Sequence, residues 1–69
     1  MNALTPIRAA VDMTEVARAA SMLNHAAICA EATKHLDRES CARWASRAEG
    51  NLHEVAAAFG YTLTKEAAG

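Results

Sequence analysis

The sequence predicts an all-α fold: an antiparallel helical hairpin, helices at about 13–35 and 38–59, pairing with a second copy into a four-helix bundle. Three observations carry this. Cys41 to Phe59 keeps its apolar residues on one line turn after turn. Helix start signals stand at Asp12 and Asp37, and a stop signal at Gly60. Between the two periodic segments lie only about two residues, too few for anything but a tight reversal.

The second helix organises the rest. At about 100° per residue, Cys41, Trp44, Ala45, Ala48, Leu52, Val55 and Phe59 fall within an arc of about 100°. Glu39, Arg43, Arg47, Gly50 and Glu54 fall opposite, the division expected of a helix with one buried face. Gly50 is unfavourable inside a helix, and Asn51 with Glu54 offers a second start signal after it. The apolar phase is unchanged across Gly50, however, so one continuous helix is predicted. Gly60 ends it, because glycine tolerates the left-handed conformation that closes a helix.

The first helix opens on Asp12 as N-cap, with Glu15 placed to complete a capping box and Val11 and Val16 placed as a hydrophobic staple. Its apolar arc holds Val16, Ala19, Ala20, Met22, Leu23, Ala26, Ala27 and Ala30. Alanine lets a neighbouring helix approach closely but buries little area per residue. Val16, Leu23, Trp44, Leu52, Val55 and Phe59 are the expected core and dimer residues. Pro6 excludes a continuous helix over residues 1–11. The alternation of Ile7, Ala9 and Val11 reads as an extended N-terminal arm or a frayed end. Residues 61–69 read as a loose C-terminal tail of a single domain spanning 1–69.

Composition bounds the function. Hydrophobic residues make up 52% of the 69, but Phe, Tyr and Trp occur once each, a thin supply for a core that must stand alone. This shortage is a second reason to expect a homodimer. Two cysteines are too few for a disulfide framework, so a reducing compartment is expected. A net charge of −1 gives no broad basic footprint for nucleic acid. No apolar run reaches the roughly 18 residues of a membrane span, and the N-terminal plan is not that of a signal peptide. A cytoplasmic location follows as the expectation, with no membrane partner.

Chemical motifs are sparse. His25 and Cys29 stand one turn apart, a spacing that can chelate a metal, but a closed site needs more ligands than this. Cys29 and Cys41 flank the turn without facing vectors, so reduced thiols are expected. Ser21, Ser40 and Ser46 lack a His–carboxylate arrangement. Glu49 with His53 is ordinary helix-surface pairing. No catalytic residue, metal or cofactor is assigned, and the chain is not expected to be an enzyme.

Binding is the better reading. Ile28 projects among Ser21, Asn24, His25 and His35, with Met13 and Ala17 bordering it. A single exposed Ile needs no explanation; the group together makes a small apolar contact surface. Arg43 and Arg47 stand on successive turns of the exposed face, with Glu39 placed to pair with Arg43. Two adjacent guanidiniums can grip a phosphate or a partner's carboxylate. Met13, Ile28, Arg43 and Arg47 are therefore the expected partner-binding residues.

Three resemblances add to this. Leu52-His53-Glu54-Val55-Ala56-Ala57-Ala58-Phe59-Gly60-Tyr61 resembles the first helix and turn of a DNA-binding helix-turn-helix, with Ala56 and Gly60 at the positions that allow close helix packing. Glu66 stands where the motif wants a branched apolar residue. Over most of its length the chain is similar to an uncharacterised family of short, Ala-rich helical-hairpin proteins known chiefly from pseudomonads. The matching features are Ile7 to Val11, Ala20-Ser21-Met22-Leu23 and Trp44-Ala45; Ala48-Glu49 departs from the family's bulky pair. That family brings no assigned activity. The size and plan are also similar to small phage-encoded host-takeover proteins, several of which are hairpin dimers that block a host protein. The leading expectation is a protein-binding module, an inhibitor or adaptor of a host protein. The alternatives are a DNA-binding regulator acting through the C-terminal segment and a sponge for an anionic nucleotide.

Overall fold

Two capped helices and one tight turn make up the fold. The computed structural model describes residues 10–66. The N-terminal arm expected over 1–11 therefore lies almost wholly outside the described residues, as does the last part of the tail. Helix α1 is Met13–Thr33 and helix α2 is Arg38–Phe59, and they pack against each other as an antiparallel hairpin. No strand occurs among the described residues.

Local chemistry explains each boundary. Asp12 sits in extended geometry and its carboxylate accepts from the backbone N–H of Thr14 at 3.0 Å and of Glu15 at 3.3 Å. These are donors that the first turn leaves without partners. The reciprocal half of the capping box is not made. Glu15 turns forward to Arg18, whose Nε donates to it at 3.0 Å, because a guanidinium is a stronger partner than one more backbone N–H. That contact holds the Glu15 carboxyl below its ordinary pKa.

Helix α1 stops two residues short of the expected limit. The carbonyl of Thr33 accepts from the N–H of Leu36 at 2.9 Å and of Asp37 at 3.0 Å, which turns the chain. The Thr33 hydroxyl donates back to the carbonyls of Cys29 and Ala30. Asp37 then caps α2, accepting from the N–H of Glu39 at 3.1 Å. At the far end Gly60 adopts φ 93°, a left-handed conformation. The N–H of Tyr61 reaches the carbonyl of Ala56 and that of Gly60 the carbonyl of Ala57, the paired bonds of a Schellman closure.

Gly50 does not interrupt α2. A Cβ added there meets nothing within 4 Å. Gly50→Ala is therefore expected to stabilise the protein by about 0.8–1 kcal/mol, the helix-propensity difference. Thermal unfolding followed by circular dichroism checks this; an unchanged or lower midpoint would mean that the Gly50 position is not helical in solution.

The seam between the helices differs from the predicted arcs. It is made by Val16, Ala19, Leu23, Ala26, Ala30 and Thr33 against Trp44, Ala48, Asn51, Val55 and Ala58, all buried or half-buried. The spacing alternates between three and four residues, the pattern of a coiled-coil seam. Two expected core residues fall outside it: Leu52 is 44% and Phe59 40% exposed. Ala20, Ala27 and Ala45 are exposed as well. Their places are taken by Asn51 and Ala58, because close approach of two Ala-rich helices favours small residues at the contact over bulky ones. No large side chain among the described residues is fully buried, and the molecule is 11 Å thick in its shortest dimension. That is a single layer of helices.

Candidate functional site

The polar broad side of the hairpin carries the most organised cluster. It begins at the cap of α2. The Ser40 hydroxyl donates to the Asp37 carboxylate at 2.7 Å and accepts from Arg43 Nη2 at 3.2 Å. The Ser40 hydrogen bond lowers the pKa of the Asp37 carboxyl from its ordinary value. A relay from the helix cap thus orients Arg43. The expected Glu39–Arg43 pair is absent among the described ion pairs. Ser40, already fixed by Asp37, offers Arg43 the nearer acceptor.

One turn later Arg47 is oriented differently. Its guanidinium carbon lies 5.1 Å from the centroid of the Trp44 ring, a cation–π distance. Trp44 is half-buried in the seam, and His25 of α1 meets it edge-on at 5.5 Å and 85°. Arg43, Trp44 and Arg47 line an open concavity of about 240 Å³. Among the described residues neither arginine has a salt-bridge partner, whereas Arg18 pairs with Glu15 and reaches Glu54 across the seam at 3.6 Å. Two cations held in place without a direct salt bridge among the described residues, beside an aromatic ring, form a surface suited to a carboxylate or another oxyanion.

The other predicted contact residues do not join this cluster. Ile28 is 57% exposed, but at about 100° per residue it points directly away from the seam, on the outer face of α1. Met13 is 58% exposed at the open end of the hairpin. The four predicted partner-binding residues therefore divide: Arg43 and Arg47 share a site, while Ile28 and Met13 stand apart from it. A shared helical face brings neighbours together within one helix, but only the rotation of α1 against α2 decides what lies beside what across the seam. Sequence reasoning also missed His25 and Ser40 as members of the cluster. A serine three residues after a capping Asp and three before an Arg was the legible signal for Ser40.

The remaining candidates are simpler. His25 Nε2 and Cys29 Sγ are 3.7 Å apart, and among the described residues no group of three metal-ligating side chains gathers. Cys29 and Cys41 are both free thiols, half-buried. Residues 61–66 form no helix, so the second helix of a helix-turn-helix is not built there. They run back along α2 instead: Lys65 Nζ lies 3.3 Å from Glu49 Oε2, and Leu63 and Thr64 line a shallow concavity with Leu52 and His53. No helix of the described residues is long and apolar enough to cross a membrane. No family model, no curated protein and no solved structure matches the chain.

Proposed function

We propose that the chain is a small protein-binding module, an inhibitor or adaptor acting in a reducing, cytoplasmic setting, which grips an acidic segment of its target with Arg43 and Arg47. The supporting observation is the pair of pre-oriented guanidiniums flanking Trp44, neither in a direct salt bridge among the described residues. Tryptophan and arginine dominate binding energy at protein interfaces because they combine large area, planar hydrogen bonding and stacking in one place. Arg43 and Arg47 lose little rotamer freedom on binding, since the Ser40–Asp37 relay and the indole already hold them.

The test is affinity capture from nuclease-treated host lysate, with the parent beside Arg43→Ala/Arg47→Ala and Ile28→Asp. The parent is expected to retain a stoichiometric protein. The double arginine variant is expected to bind it about 30-fold more weakly, the equivalent of one strong interface residue. Ile28→Asp, on the outer face of α1, is expected to bind like the parent. Equal capture by the double variant would overturn this assignment of the surface. A captured nucleotide with no protein would replace the module reading with that of an anionic-ligand sponge, since the same guanidiniums suit a phosphate.

A further inference from the structure

The side of the hairpin opposite the arginines carries a different pattern. Arg18 and Glu54 meet across the seam, which marks one broad side and sets the level of α1 against α2. In an antiparallel pair of right-handed helices, residues rotated the other way from each seam emerge on the other broad side. These are Met13, Ala20 and Ala27 of α1 and Ala45, Leu52 and Phe59 of α2, all exposed. By the register that Arg18 and Glu54 set, Met13 stands level with Phe59, Ala20 with Leu52, and Ala27 with Ala45. The side is apolar throughout this strip, and it is wedge-shaped: bulky at the open end and small toward the turn.

We propose that a second copy of this chain covers this side, turn against open end, to complete a four-helix bundle. Three observations favour a second copy as the occupant. The first is the wedge. Two identical wedges stacked with opposite polarity bring the large open end of each over the small turn end of the other, which evens the spacing between layers and fills space as close packing requires. Stacked with like ends together they splay. The second is area. A 21-residue helix is about 32 Å long and two packed helices are about 20 Å across, so each copy offers on the order of 640 Å². Two such contributions reach the roughly 1,200–2,000 Å² of a stable, specific interface. The third is the single layer itself. The hairpin fully buries no large side chain among the described residues, and a stable domain needs a second layer over its apolar side. Leu63, brought back beside Leu52 by the tail, extends the same surface. The proposal does not depend on the target-binding reading, which uses the other side.

Analytical ultracentrifugation of the full chain tests it. The parent is expected to sediment at twice the 7.3 kDa of one chain, with a melting temperature that rises with concentration, as dissociation-linked unfolding requires. Leu52→Glu and, at the other end, Ala45→Glu are each expected to abolish the dimer; Ile28→Asp is expected to leave it intact. A parent that sediments as one chain and melts independently of concentration would overturn the proposal. So would a dimer that survives both glutamate substitutions. Polarity is read from a nitroxide on His35→Cys, in the turn, in a Cys29→Ser/Cys41→Ser background. Opposite turns predict a separation of about 30 Å or more, one helix length. A separation under about 20 Å would place the turns together and refute the stacking argued from the wedge.

Discussion

Trp44→Ala is expected to cost about 3 kcal/mol of stability and to lower the melting temperature by about 12–24 °C. Most of the seam is alanine with Thr33 and Asn51, so the indole supplies a large share of its apolar bulk. The cost lies at the low end for a tryptophan truncation because the ring is half-buried rather than enclosed. Truncation also removes the T-shaped contact with His25 and the ring beneath Arg47. The two helices have no spare bulk with which to fill the gap, so the cavity remains. For a chain this small, such a loss is a large part of the whole. Circular dichroism melts of parent and variant give the answer; a midpoint within a few degrees of the parent would show that the indole does not pack in the seam.

Asn51→Leu is expected to act in the opposite direction, raising stability by about 1–2 kcal/mol. Asn51 is only 6% exposed, in the middle of the seam between Ala48 and Val55 of its own helix. Its Nδ2 donates to Glu54 Oε1 at 3.3 Å, but its Oδ1 is buried without a partner. A buried acceptor that has lost its water and gained no donor is destabilising, and leucine, which branches at the same carbon with the same number of heavy atoms, removes it. A buried amide in the middle of a largely apolar seam also restricts register. The variant is therefore expected to melt higher in the same experiment while tolerating more than one helix alignment, seen as broadened amide resonances. A lower midpoint would mean that Oδ1 does receive a donor in solution.

The second effect turns on a feature that the apolar arcs did not show. Averaging about 100° per residue drew the α2 arc toward Leu52 and Phe59, its largest aliphatic and aromatic residues after Trp44. The seam lies about 50° around from that centre and takes Asn51 and Ala58 instead. The alternating three-and-four spacing of Trp44, Ala48, Asn51, Val55 and Ala58 was present in the sequence. A polar residue within it made the alternative arc look better.

The site shows the same division. Arg43 and Arg47 on one face were legible, because both belong to a single helix. Their company was not. Trp44 looked like core alone, yet Arg47 lies over its ring and His25 from the other helix meets it in a T-shaped contact. Ile28 is exposed on the outer face of α1, as its off-pattern position indicated, and lies apart from the arginines.

What the sequence alone determined was everything decided within about four residues along the chain. It placed both helix starts at Asp12 and Asp37, the stop at Gly60, the passage of α2 through Gly50 and the all-α hairpin. Caps, helical hydrogen bonds and the left-handed glycine are local interactions, so the residues that make them are adjacent in the text. Only the tertiary structure decided the rotation of each helix about its own axis, and with it the burial of Asn51, the exposure of Leu52 and Phe59, and the meeting of His25 with Trp44. Rotation is settled by the fit of two surfaces at close range. On helices whose flanks are largely alanine, hydrophobicity changes little over tens of degrees, so a preference that small is resolved by packing rather than by composition.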